Sequence, residues 1–261
     1  MFTRAIALTM GVGALVVGCG TESQQSSGEE QQEIVDNLVQ AGFQADDIAV
    51  VDGTVFVGRD AVVTLQASRE MVAADATTDH EQFRTTNLVA ANITNICVNG
   101  AAYTGNFSTA LNAALANYNG QNLRFHMTRT SGSTAGCSAT ITARITTGNG
   151  GVSGFPSGGR PFNAINIGSA LQTGFSVATI THVMTHELGH TIGFRHTDFF
   201  NRSISCGGPA TNEGASNVGA ILIPGTPSGA TVGGSIMNSC FRQNETGRFT
   251  GTDVTALHAI Y

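Results

Sequence analysis

The sequence predicts an α+β fold, and three observations carry that prediction. Short stretches of alternating hydrophobicity recur between Asn92 and Ile167, interrupted once by a helical repeat. A second helical repeat begins at Phe175 and runs into a histidine-rich segment. Ahead of both lies a small αββα pattern with apolar positions of its own.

Taken in order, Arg4 precedes an apolar run from Ala5 to Val17, too short to span a bilayer and ordered like a secretory signal. Residues 1–18 are therefore set apart as a signal peptide. The run closes on Leu15-Val16-Val17-Gly18-Cys19, which resembles a bacterial lipobox, with cleavage before Cys19 and lipidation of that cysteine. Gly20 resembles the residue of lipoproteins sent to the outer membrane; the alternative is ordinary secretion after a cut elsewhere. Residues 19–32, free of apolar side chains after Cys19, read as a flexible tether.

The next unit, residues 33–83 with its linker, begins with Ile34, Leu38 and Ala41 at helical spacing and Gly42 as a stop. Ile48 to Val51 and Thr54 to Val57 flank Asp52-Gly53, a hairpin signal. A second helix is expected from Asp60 to Ala74. About 45 residues are too few for much independent stability. The unit would gain by leaning on the remainder of the chain, as a propeptide does, or would simply extend the same core. Residues 73–83 are polar and small, a linker and a processing site.

From residue 84 to 261 the elements succeed one another without a break. Asn92 to Val98 is a strand ending in Asn99-Gly100, and Phe107, Leu111, Ala114, Leu115 and Tyr118 share a helical face. Leu123 to Met127, Ala139 to Ile145 and Phe162 to Ile167 are further strands, with Gly148 to Pro161 read as loop. At the end Thr250-Gly251-Thr252-Asp253 looks like a capping box before an amphipathic helix. Across the chain 41% of residues are hydrophobic and 11% charged; the net charge is -6, all 12 basic residues are Arg, and no basic patch recommends nucleic acid as a partner.

The chemistry concentrates in His186-Glu187-Leu188-Gly189-His190-Thr191-Ile192-Gly193-Phe194-Arg195-His196. Four residues of helix return to nearly the same face, so His186 and His190 can meet one metal ion. Glu187 lies about 100° round the helix, placed to hold a water beside that metal without binding it. Gly193 can end the helix in a left-handed conformation and let the chain bring His196 round as a third ligand. Three imidazoles with one open position describe catalytic zinc. His182 sits one turn before His186, so a rival triad of His182, His186 and His190 stands beside this one.

This motif resembles the extended zinc signature of the metzincin metallopeptidases and, within them, is most similar to the bacterial dual-action HEIGH metallopeptidase family, with Leu188 where that name has Ile. The resemblance implies a metzincin-like fold over residues 84–261, with a mixed twisted sheet, an active-site helix, a methionine turn and a C-terminal helix. It implies an endopeptidase with one catalytic Zn2+ held by His186, His190 and His196, and Glu187 as the base acting on the zinc water. Met237 in Gly234-Ser235-Ile236-Met237-Asn238-Ser239-Cys240 would lie under the histidines. Some metzincins have a tyrosine two residues after that methionine; Ser239 stands there, so no such role is assigned. By resemblance the strand Phe162, Asn163, Ala164, Ile165, Asn166 would pair with extended substrate, and residues 241–249 would wall a specificity pocket.

Matrixin-like propeptides silence zinc with a cysteine, and this chain has none between Cys19 and Cys97. An inhibitory group would have to be a carboxylate such as Asp46, Asp47 or Asp60. Asp198, two residues past His196, either hydrogen-bonds a ligand histidine and orients its ring or satisfies its own loop. Besides Cys19 there are four cysteines, an even number suited to an exported protein. Of three possible pairings the preferred one joins Cys206 to Cys240 and Cys97 to Cys137.

The expectation is a monomeric zinc endopeptidase acting on protein or peptide substrate and attached to a membrane through Cys19. It would be an outer-membrane lipoprotein, periplasmic or at the cell surface, or secreted after processing. The alternatives are a zinc-containing surface binding module or a latent protease without turnover, and a zinc amidase acting on cell-wall peptide.

Overall fold

The computed structural model describes residues 28–73, 83–214, 220–227 and 229–261. The signal segment, Cys19 and most of the linker lie outside the described residues. The chain runs α1 (Gly28–Gln40), β1 (Ala49–Val51), β2 (Thr54–Val57), β3 (Ala61–Val62), α2 (Leu65–Val72), β4 (Phe83–Arg84), β5 (Asn95–Asn99) and α3 (Gly105–Asn119). It continues through β6 (His126–Thr130), β7 (Ala139–Thr146), β8 (Gly151–Gly154), β9 (Ala164–Gly168), α4 (Leu171–Gly174) and α5 (Val177–Thr191). The last elements are α6 (Ser203–Cys206), β10 (Ile221–Leu222) and α7 (Gly251–Ile260).

Eight strands form one mixed sheet in the order β1-β2-β3-β8-β9-β7-β5-β6, and β10 pairs with β4. Helices with a mixed sheet make this an α+β protein, as expected. The parallel β5, β6, β7 and β9 bury apolar residues such as Ile96, Val98, Ile141 and Ile165, and α3 and α5 pack beside them. The core needs this layering because α5 is buried over nearly its whole length, more than a single apolar stripe would cover. Ser176 starts α5 by accepting from the Thr179 amide, and α7 begins in the capping box that the sequence forecast, Thr250 with Asp253.

Both disulfides join the expected partners: Cys97 at β5 with Cys137 ahead of β7, and Cys206 with Cys240. Two expectations for the N-terminal segment, one of a tether and one of a helix, are corrected. The tether forecast for residues 19–32 is helical from Gly28, where α1 starts. The helix forecast for Asp60 to Ala74 begins only at Leu65, capped by the Thr64 hydroxyl on the Ala67 amide, and Asp60 to Val63 runs extended instead. The N-terminal unit is thus αβββα. Its own core of Ile34, Leu38, Phe43, Val55, Val57 and Met71 takes in Phe155 from beyond β8.

That third strand joins the unit to the rest. β3 pairs in parallel with β8, which lies antiparallel against β9. The loop expected over Gly148 to Pro161 therefore contains a strand, and the strand expected over Phe162 to Ile167 is Ala164–Gly168. With β7 on one side and β8 on the other, β9 has no free edge to offer an extended substrate. Phe162, Asn163, Ala164, Ile165 and Asn166 therefore lack that edge, and the strand against the active-site helix is β8, itself flanked by β3 and β9.

Candidate metal and catalytic centre

The helix α5 ends as its sequence demands. Ile192 leaves helical geometry, Gly193 takes φ +108, and the Phe194 amide donates back to the Gly189 carbonyl at 3.0 Å. A side chain at Gly193 would also strike the Asn87 carbonyl, 2.6 Å from where its Cβ would stand. The turn swings His196 round to the open side of His186 and His190. Their Nε2 atoms lie 3.0 Å apart for His186 and His190, and 3.3 Å for His186 and His196.

Each ring is held from behind. His186 Nδ1 donates to the Ile236 carbonyl at 2.8 Å and His190 Nδ1 to the Phe194 carbonyl at 2.8 Å. A carbonyl can only accept, so Nδ1 carries the proton and, in the neutral ring, Nε2 presents a lone pair. His196 Nδ1 faces Glu213 Oε1 at 2.6 Å. Three ring nitrogens brought this close to one point form the arrangement that a shared cation would hold together.

Other buried atoms make the same demand. Asp60 Oδ2 stands 3.1 Å from His196 Nε2, and Oδ1 is 3.7 Å from His190 Nε2. Asp60 Oδ1 and Glu187 Oε2 are buried without a hydrogen-bond partner. One nitrogen from each histidine and one oxygen of Asp60 lie within 4.8 Å of one another. Imidazoles with a carboxylate suit zinc.

The electrostatics agree. Burial, helped by neighbouring His186, pushes His190 down to about 3, which keeps it neutral. Burial would also lower His196, but the Asp60 and Glu213 carboxylates outweigh it and push it up to about 10, so this corner of the site calls for a positive charge. Burial and then the Asp60 charge raise Glu187 well above the usual carboxylate range.

Glu187 lies against β8. A Cβ at Gly151 would fall 2.2 Å from Glu187 Oε1, so only glycine leaves this carboxylate its place. Below, Met237 is buried, and a Cβ added at Gly189 would meet its sulfur at 2.6 Å, which puts the methionine turn against α5 as a floor. The turn also fixes the ligands, since Ile236 holds His186 and the Met237 carbonyl accepts from the Thr197 amide at 2.9 Å.

The rival ligand His182 stays outside the cluster, with Nδ1 3.6 Å from Glu245. Asp198 touches none of the three histidines. Its oxygens accept from the Ser239 amide and hydroxyl at 2.9 and 2.7 Å and from Ser205, which ties the loop after α5 to the methionine turn. The carboxylate that orients a ligand ring is Glu213, which also takes Arg195 at 3.0 Å and Arg202 at 2.7 Å. His196 and these arginines hold Glu213 below the usual range against the effect of burial. Nothing in the sequence pointed to Glu213, which lies in a loop outside every motif.

A family model described as dual-action HEIGH metallo-peptidase matches residues 55–261. The chain belongs to that family. It is a zinc metalloendopeptidase, with the three histidines expected from the signature now brought together. No curated protein matches it. Among solved structures it is similar to myroilysin, at TM-score 0.39 and 13% identity, covering 67% of this chain and 95% of that one. It is also similar to the hatching enzyme high choriolytic enzyme 1, a zinc-protease from the medaka fish Oryzias latipes, at TM-score 0.37 and 13% identity, covering 66% and 92%. Likenesses this distant carry no weight beside the family match and the site.

Proposed function

We propose that the protein cleaves internal peptide bonds of proteins with one zinc ion held by His186, His190 and His196. The observation that carries this is the convergence of three histidine Nε2 atoms beside a buried, unpartnered Glu187 oxygen. When bound, the ion supplies Lewis acidity to the scissile carbonyl and to the attacking water. Glu187 takes the proton from that water and passes it to the departing amine nitrogen. Its raised affinity for protons suits the second half of that task, and Gly151 keeps it beside the reacting atoms.

Extended substrate would lie along β8, where β3 now shows how a strand sits. Residues 241–249 would wall the adjoining pocket, a cleft of about 200 Å³ bounded by Val183, His186, Glu187 and Phe241. We further propose export as a monomer with a lipid at Cys19, at the outer membrane or released after processing.

The test compares Glu187→Gln with wild type on casein, each before and after limited proteolysis of the N-terminal segment. The variant should keep its zinc by elemental analysis and lose about 10²–10⁴-fold in rate. A zinc-loaded variant as fast as wild type would sink the mechanism.

A further inference from the structure

Among the described residues, three that line one cleft each carry a buried atom without a hydrogen-bond partner: Asp60 at Oδ1, Glu187 at Oε2 and His182 at Nε2. The first two lie at the metal centre. His182 takes no part there, standing one helical turn before His186, and a buried nitrogen left unpaired carries a cost.

The ring is fixed by what lies behind it. His182 Nδ1 faces Glu245 Oε2 at 3.6 Å, and Arg242 pins Glu245 by donating to its two oxygens, from Nε at 2.8 Å and Nη2 at 3.0 Å. A carboxylate only accepts, so the proton sits on Nδ1 and Nε2 presents a lone pair. Burial outweighs the Glu245 charge and pushes His182 down to about 4, which keeps the ring neutral. His182 lines the cleft and Glu245 does not, so Nε2, across the ring from Nδ1, is the nitrogen on the cleft side.

The other walls decide what suits that nitrogen. Val183 and Phe241 are apolar, whereas Asn238 and Ser239 are polar but occupied. Asn238 donates to Thr197 and accepts from the Gly233 amide, both at 2.8 Å, and Ser239 donates to Asp198 at 2.7 Å. A dry cavity of about 150 Å³ admits benzene, and this cleft measures about 200 Å³. Ring-sized space, apolar sides and one buried acceptor at the back describe the seat of a phenol.

We propose that the cleft takes a tyrosine side chain beside the scissile bond, its hydroxyl donating to His182 Nε2, so that His182 sets cleavage specificity. The proposal rests on the zinc endopeptidase reading above and names the substrate class for it. Phenylalanine would fill the same space and leave Nε2 unpaired. Lysine or arginine could donate, but would carry a positive charge toward Arg59 and the zinc that the reading requires.

The experiment uses full-length, zinc-loaded protein, wild type and His182→Phe, with p-cresol and toluene as probes. Binding is measured by calorimetry, and the His182 Nε2 resonance is followed by nitrogen NMR in histidine-labelled protein. Wild type should bind p-cresol about ten-fold or more tighter than toluene, the cost of leaving a buried acceptor unpaired. The Nε2 signal should move with p-cresol alone, and His182→Phe should lose the preference. Peptides with Tyr or Phe on either side of the scissile bond should follow the same order in kcat/KM, under whichever condition of the casein test gives cleavage.

Probe affinities within about two-fold of each other, or an Nε2 signal that p-cresol leaves in place, would overturn the assignment. That comparison needs wild type alone, so a variant that misfolds cannot shelter it. Equal cleavage of the Tyr and Phe peptides would sink the specificity and leave the protease reading standing. A zinc-loaded protein that binds the phenol yet cuts neither peptide nor casein would remove the protease reading, and the specificity with it.

Discussion

The two parts of the molecule are held together by different means, although they share one sheet. The catalytic part has a continuous core from Val89 to Leu257, packed around α3 and α5, and two disulfides. The N-terminal unit has a core of about a dozen side chains, no disulfide among the described residues, and β1 lying fully exposed at the sheet edge. What it adds beyond its core is polar and local: Arg202 on Gly58, the Arg195 guanidinium over the Phe43 ring, and the ladder of β3 on β8. The difference teaches that a segment can belong to a sheet and still keep an apolar core apart from the one beneath the chemistry.

If that comparison holds, heating should give two calorimetric transitions, the lower from the N-terminal unit. The largest expected effect falls on the upper one. Cys206→Ser with Cys240→Ser opens a link between residues 34 apart and should cost about 3–4 kcal/mol there, by the loop-entropy argument, while the lower transition stays. A drop in both transitions would mean the parts unfold together.

The reverse test is Leu38→Ala, at a fully buried position of the small core, which should cost about 2–4 kcal/mol. It should lower only the first transition. A single transition that shifts as a whole would erase the distinction.

The smallest effect concerns pH. Burial and then the Glu213 charge raise Asp47 to about 6 from an ordinary 3.8. The folded unit therefore holds a proton that the unfolded chain has already released, and its stability falls as pH climbs through that window and levels off above about 6. Asp47 is partly solvated, which limits the change to about 1–2 kcal/mol. Asp47→Asn should flatten the profile of the first transition between pH 4 and 6. A wild-type profile already flat there would remove the coupling between Asp47 and the loop that carries Glu213.

The parts of the site that could be read from the sequence are those set by local spacing. His186, Glu187 and His190 are fixed by the helical repeat, and His196 by the turn at Gly193, so one segment of sequence states the ligand set. α3, β7 and α7 were legible for the same reason. β8 was not, because its pattern is broken by Gly151 and Gly154, and the physical cause lies elsewhere in the chain. Gly151 makes room for Glu187, and a Cβ at Gly154 would fall 2.8 Å from the Phe162 ring. The packing that makes β8 useful thus removed the residues that would have announced it. Glu213 was hidden differently and Asp60 stood undistinguished among three carboxylates, since their meaning comes from tertiary neighbours, 17 and 136 residues from His196 in sequence. For Asp198 the nearness to His196 along the chain suggested a partner that the loop turns away from.

The ladder between β3 and β8 is made by main-chain atoms, which every residue but proline supplies alike. Although Ala61 is packed into the small core, its pairing with β8 uses none of its side chain, so on the substrate reading proposed above a foreign polypeptide could dock there without matching any side-chain code. Discrimination among cleavage sites then falls to whatever the flanking pockets accept, and the rail itself reads only that a chain is extended.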